Sequence, residues 1–195
     1  MKGAVFLDRD GVVNPLVYNQ AAGEYESPHV PDDFSIYPWV LKSLRLLKNH
    51  GFYVFIVSNQ PSYAKGKTSL ENIQAIEKLL RDYIDDNNCL IDEYYYCYHH
   101  PNGIIPEYSV FCPCRKPGIM FLEQAASAFS LDLSASFFIG DQDTDIKCGK
   151  NAGTKTVKII NKHSIKKSGQ EVSDAFASNL YEAVEKIILF QKKET

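Results

Sequence analysis

No apolar stretch in these 195 residues approaches the roughly 20 that a membrane-spanning helix requires, and the run from Gly3 to Leu7 is too short for a secretory leader. A cytoplasmic protein is expected. Basic residues are not in surplus either: 21 Lys and Arg against 24 Asp and Glu give a net charge of -3, without the electrostatic footprint of a nucleic-acid or membrane-surface binder. The expected partner is a small molecule. The chain also lacks a Pro/Gly/Ser-rich linker, an internal repeat and a low-complexity tract, so residues 1–195 read as one domain with enough length for a sizeable core. In a reducing compartment its five cysteines read as ligands or core residues rather than disulfides.

What is present is alternation. Short apolar runs at residues 3–8, 52–58, 93–98, 136–141 and 154–160 are β-branched or aromatic and read as strands. Residues 38–49, 69–87, 118–129 and 178–192 carry helical spacing, best seen in Leu180, Ala183, Val184, Ile187 and Ile188. Strands and helices taking turns predict an α/β fold, a Rossmann-like parallel sheet with helices on both faces. The segment from Asn14 to Pro38 is long for a loop in such a fold, a length that goes with function or disorder.

Ligands of open α/β sheets bind beyond the carboxyl ends of the strands. The polar residues at those ends are Asp8 and Asp10 after the first run, Ser58, Asn59 and Gln60 after the second, and Asp141, Asp143 and Asp145 after the fourth. Any one of these could be only a helix cap or turn former. Together they predict a shared site. Asp8 and Asp10, at i and i+2, address one small volume.

In order, "FLDRDGVVN", "VSNQ", "CRKP" and "GDQDTD" resemble the four motifs of haloacid dehalogenase-like phosphatases, and the resemblance covers most of the chain. It implies Asp8 as nucleophile, Asp10 as general acid and base, Ser58 on a phosphoryl oxygen and Lys116 as the neutralising cation. It also implies Mg²⁺ held by the Asp8 carboxylate, the backbone carbonyl of Asp10 and Asp141, with Asp145 near or assisting, and it leans to a monomer. These roles make chemical sense. Phosphate monoesters hydrolyse very slowly in water, so a covalent intermediate and charge neutralisation are both needed. With Mg²⁺ beside it Asp8 stays ionised, and Asp10 is expected to carry a proton for the leaving oxygen.

Cys97, His99, Cys112 and Cys114 make three thiolates and an imidazole, a tetrahedral zinc set, although the Cys-x-His spacing is not that of a finger. On spacing alone, Cys97 could instead be a buried strand residue and His99 a loop residue. His100 is a rival ligand. The pattern resembles the zinc loop of the histidinol-phosphatase and heptose-bisphosphate-phosphatase subfamily, where zinc is structural and no large cap domain is present. Cys114 adjoins Arg115 and Lys116, so a fixed metal loop would hold both cations at the phosphate. Cys89 and Cys148 read as packing residues.

The twelve residues between His99 and Cys112 resemble the longer loop of the heptose enzymes, and Arg115 resembles their arginine for the sugar or its second phosphate. The expected substrate is D-glycero-D-manno-heptose 1,7-bisphosphate, losing its 7-phosphate; histidinol phosphate and other sugar phosphates are the alternatives. Asn59, Gln60, Arg115, Gln142, Tyr18 and Asn19 are the expected substrate contacts. Gln142 departs from the lysine usual after "GD", and the 14–38 segment is longer than usual. "KGKTS" at 65–69 lacks the earlier glycine of a P-loop, since Pro61 stands there. Lys65 and Lys67 accordingly read as a solvated turn, with an approach to a substrate phosphate as the alternative. Tyr94 to Tyr96 read as strand packing, and His29, His50 and His163 as loop or helix-end residues.

Overall fold

The four residues AVFL of β1 (Ala4–Leu7) are all buried, as a strand covered on both faces must be. In the computed structural model, which describes residues 2–164 and 171–194, the chain continues through β2 (Val17–Asn19), β3 (Glu24–Glu26), α1 (Val40–Asn49), β4 (Tyr53–Asn59), α2 (Leu70–Asp86) and β5 (Glu93–Cys97). It then forms α3 (Met120–Phe129), β6 (Phe137–Gly140), α4 (Asp143–Asn151), β7 (Lys155–Ile159), β8 (Ala175–Ala177) and α5 (Leu180–Glu194). Six strands make one sheet in the order β5-β4-β1-β6-β7-β8, and every pairing in it is parallel.

Side-chain alternation divides the core. Val5 and Leu7 face Leu44 and Leu47 of α1, Leu80 and Ile84 of α2, and Ala183, Val184 and Ile187 of α5. Ala4 and Phe6 point the other way, toward Leu122 and Ala125 of α3 and Cys148 of α4. The Phe6 ring lies 5.2 Å from that of Phe55 and 6.3 Å from that of Phe138, so aromatic contact crosses three neighbouring strands. Burying side chains of this size stabilises the sheet by about 1.5–3 kcal/mol each. Ser69 caps α2, its hydroxyl accepting from the Asn72 amide at 3.2 Å.

All five predicted strands and four predicted helices are present. The 14–38 segment is not a plain loop: β2 and β3 form an antiparallel hairpin, followed by a 3-10 turn at Pro31–Asp33. Two further elements had no expectation. In α4 the sequence DTDIKCGKN has too few apolar residues to show a stripe, and β8 has only three residues. Cys148 is buried, and Cys89 is half-buried with its thiol 3.8 Å from the Leu41 carbonyl, both as packing residues. Among the described residues, no helix is long and apolar enough to cross a membrane.

Candidate active site and a neighbouring Cys/His cluster

Because β1 lies between β4 and β6, the carboxyl ends of three adjacent strands bring Asp8, Ser58 and Asp141 together. Asp8 Oδ1 accepts from Ser58 Oγ at 2.9 Å, and Lys116 Nζ stands 2.8 Å from the same oxygen. The ammonium also contacts Asp145 Oδ1 at 2.7 Å and donates to the Val57 carbonyl at 2.8 Å. Asn59 fixes the Lys116 backbone from both sides: its Oδ1 accepts from Lys116 N at 3.0 Å, and its Nδ2 donates to Lys116 O at 3.2 Å. Gly11, at φ +86°, makes the turn after β1, and a Cβ there would run into the Asp141 carboxylate.

Asp10 is held separately. Arg9, fully buried, donates to its Oδ1 through Nε at 3.2 Å and Nη2 at 2.9 Å, and Asn14 Nδ2 donates to the same oxygen at 2.9 Å. Oδ2 accepts from Gln60 Nε2 at 2.6 Å and Ser27 Oγ at 2.9 Å. Two close carboxylates are thus matched by two cations, Lys116 for Asp8 and Arg9 for Asp10. The second was legible in the adjacency "DRD" but had no predicted role.

The two aspartates sit in opposite electrostatic surroundings. Burial, reinforced by the charge of Asp145, pushes Asp8 up to about 7 despite Lys116. Burial acts on Asp10 as well, but the Arg9 charge and the hydrogen bonds from Asn14 and Gln60 outweigh it and hold that carboxyl below its usual value. Burial and the neighbouring Asp8 and Asp145 raise Asp141 well above the carboxylate range. Lys116 is raised: burial opposes its charge, and Asp145 and Asp8 more than compensate.

Oxygen atoms of Asp8, Asp141 and Asp145 lie within 4.8 Å of one another. Three buried carboxylates facing one lysine are under-neutralised, and hard oxygen donors in that arrangement fit Mg²⁺. The side chain of Asp10, engaged with Arg9, is outside this group.

A cavity of about 240 Å³ opens over these atoms, lined by Asp8, Asp10, Ser27, Asn59, Pro61, Lys65, Arg115, Lys116, Gln142, Thr144 and Asp145. Asn59, Arg115 and Gln142 stand where substrate contacts were expected. Gln60 does not: it is 1% exposed and spends its amide on Asp10, Ser58 and Arg9. Tyr18 and Asn19 line a different cavity of about 260 Å³, and Asn19 is occupied by Glu26 and the hairpin turn. The 65–69 turn is largely exposed, as expected; within it Lys65 also lines the active-site cavity, and Lys67 pairs with the buried Glu26. Ser27 and Thr144 had no predicted role. Thr144 was readable as a helix-start residue within "GDQDTD", whereas nothing in the 14–38 segment singled out Ser27.

Beyond Arg115, Cys97 at the end of β5 meets the 112–114 turn. Donor atoms of Cys97, His99, Cys112 and Cys114 fall within 4.8 Å of one another, with His99 Nδ1 3.8 Å from both Cys97 Sγ and Cys114 Sγ. Tetrahedral zinc with Zn–S of about 2.3 Å sets ligand separations of about 3.6–3.8 Å, so this set fits the metal. One feature departs from expectation: Cys112 and Cys114 are paired as a disulfide, which brings their sulfurs closer than two zinc thiolates stand. His100 is not in the group; its Nδ1 accepts from Asn102 N at 3.1 Å in a turn. Arg115 ties the cluster to the active site, its Nη1 donating to the His99 carbonyl at 3.1 Å and its backbone N to Cys112 O at 3.1 Å.

A family model described as HAD-hydrolase-like matches residues 113–183. A D-glycero-D-manno-heptose-1,7-bisphosphate 7-phosphatase of Chlorobaculum tepidum is 33% identical over 96% of this chain and 94% of its own length. A D-glycero-beta-D-manno-heptose-1,7-bisphosphate 7-phosphatase of Escherichia coli is 32% identical over 79% of this chain and 78% of its own. The fold matches that of a D,D-heptose 1,7-bisphosphate phosphatase from B. bronchiseptica, crystallised with magnesium and phosphate, at a TM-score of 0.76, covering 98% of this chain and 99% of that one at 23% identity. The chain belongs to the haloacid dehalogenase-like phosphatases, phosphoric monoester hydrolases, in the branch that includes heptose-bisphosphate phosphatases.

Proposed function

We propose that this chain is a Mg²⁺-dependent phosphatase that removes the 7-phosphate of D-glycero-D-manno-heptose 1,7-bisphosphate through an aspartyl phosphate on Asp8. It acts as a single domain, as a monomer and in the cytoplasm. The observation that carries the reading is the end of β1, where Asp8 stands between Ser58 and Lys116 with Asp141 and Asp145 alongside.

Asp8, the carbonyl of Asp10 and Asp141 would hold Mg²⁺, with Asp145 alongside them, its Oδ1 on Lys116 and its Oδ2 accepting from the Gln142 backbone amide. When bound, the cation neutralises charge on Asp8 and on the phosphoryl oxygens. Ser58 and Lys116 orient the phosphoryl group against the nucleophile. Asp8 forms its bond to phosphorus as the bond to the sugar oxygen breaks, and that oxygen takes a proton from Asp10. Arrival of a phosphate dianion raises the proton affinity of Asp10, which is otherwise held ionised, so that it takes up this proton from solvent before the bond to the sugar oxygen breaks. In the second half-reaction Asp10 accepts a proton from the water that attacks the phosphoenzyme. With the Cys112–Cys114 pair reduced to thiols, Cys97, His99, Cys112 and Cys114 would hold a structural zinc that fixes Arg115.

Lys65 and Arg115 line the cavity beyond Lys116, which suits a ligand with a second anionic group and opposes the cationic amine of histidinol phosphate. The test compares kcat/KM for both heptose 1,7-bisphosphate anomers with histidinol phosphate, reading inorganic phosphate released without any added acceptor. A preference of at least about 10-fold for a heptose bisphosphate is expected, a difference of about 1.4 kcal/mol. Preference for histidinol phosphate, or no phosphate release without an acceptor, would reverse the assignment.

A further inference from the structure

The hairpin, whose Tyr18 and Asn19 line another cavity, delivers one side chain to the reacting carboxylates. Ser27, the residue after β3, donates from Oγ to Asp10 Oδ2 at 2.9 Å. The other donors to Asp10 belong to the framework: Arg9 and Asn14 lie in the turn after β1, Gln60 follows β4, and each is at most 1% exposed. Ser27 is half-buried and lines the active-site cavity, so it is the donor to Asp10 contributed from the hairpin side of that cavity.

Its placement is built rather than incidental. On one side Glu26, 8% exposed, pairs with Lys67 and accepts from Asn19 Nδ2 at 2.7 Å. On the other, the carbonyl of His29 accepts from the Thr68 hydroxyl. Both fastenings reach the 61–69 turn, the segment that also carries Lys65 into the cavity. Ser27 is therefore gripped from two positions by one neighbouring segment. An isolated surface hydroxyl would not need such support.

We propose that Ser27 is a positioning residue for the reaction: held by the Glu26–Lys67 pair, it fixes the Asp10 carboxylate in the orientation that meets the leaving oxygen. This rests on the acid role of Asp10 given above. Arg9, Asn14 and Gln60 still hold the carboxyl when Ser27 is lost, but Oδ2 then lacks its donor from the hairpin side, and a small rotation away from the leaving oxygen would fall on the step in which that group is protonated.

The experiment uses two probes that differ in how much they need that proton: β-glycerophosphate, which leaves as a poor alkoxide, and 4-nitrophenyl phosphate, which leaves as a good phenolate. Each is assayed with the wild type, Ser27→Ala, Ser27→Thr and Asp10→Asn, all Mg²⁺-loaded. Ser27→Ala is expected to lower kcat/KM, which reports the steps through departure of the leaving group and not the phosphoenzyme hydrolysis common to both probes, at least about 10-fold for β-glycerophosphate and less than about 3-fold for 4-nitrophenyl phosphate. Ser27→Thr, which keeps the hydroxyl, is expected to recover most of the loss, and Asp10→Asn to show the same discrimination more strongly. Equal losses on both probes, or no loss, in Ser27→Ala while Asp10→Asn still discriminates would overturn the role of Ser27 alone. Absence of discrimination in Asp10→Asn would overturn the acid role of Asp10 and the proposal with it.

Discussion

The two halves of the site are made in different ways. The half around Asp8 is carried by strand ends: β1, β4 and β6 are neighbours in the sheet, their registers are fixed by parallel pairing, and Asp8, Ser58 and Asp141 follow from them directly. The half that encloses the ligand is carried by loops: the hairpin brings Ser27, the 61–69 turn brings Lys65, and the Cys/His segment brings Arg115. The first half is positioned by the core. The second is positioned by a few identifiable fastenings, each of which can be cut without touching the sheet.

The largest effect is expected where the fastening is a metal set. Cys97→Ser should lower zinc content from one equivalent per chain to well below it. Because Arg115 is tied to His99 and Cys112, it should also reduce kcat/KM by about 10–100-fold, the range seen when groups supporting a site are removed. Elemental analysis beside kinetics checks this. An active wild type purified without chelator and free of zinc would contradict the zinc assignment and sharpen the comparison toward a loop held by packing alone.

A smaller effect is expected at the hairpin. The Glu26 carboxyl is pulled below its usual value: burial opposes its charge, and Lys67 and Asn19 more than offset that. A depressed carboxyl contributes stability that is fully present above the unfolded value near 4.5 and is lost as pH falls through the folded one. The difference in thermal stability between wild type and Glu26→Gln should therefore be greatest near neutral pH, at about 1–2 kcal/mol, and vanish in the acid range. A difference that does not change with pH would show that the pair does not fasten the hairpin.

The same division explains what was readable beforehand. Sheet and helices were legible because apolar period and strand length are local properties, and the carboxylates of the Asp8 half follow strands visible in the sequence. The helix α4 was hidden because its residues serve the site rather than a broad apolar stripe, with only Ile146 and Cys148 as buried apolar side chains. Gln60 was misread because its position beside Ser58 does not reveal that its amide turns inward to Asp10. Ser27 and the Glu26–Lys67 pair were not legible at all: their partners lie 17 and 41 residues away, and no local pattern encodes a contact between two irregular segments. The separate cation of each aspartate was not legible for the same kind of reason, since Arg9 turns to Asp10 while Lys116 arrives at Asp8 from another segment.

The central claim is that the two paired aspartates divide the work, Asp8 bonding to phosphorus and Asp10 handling the proton. The most direct measurement is to incubate Asp10→Asn with Mg²⁺ and 4-nitrophenyl phosphate, quench in acid, and locate the phosphoryl group by peptide mass spectrometry. Asp10→Asn should form the intermediate from this good leaving group and hydrolyse it slowly, so a phosphoryl group on Asp8, absent from the Asp8→Asn control, is the predicted result. A phosphoryl group on any other residue, or full turnover by Asp8→Asn, would contradict the account.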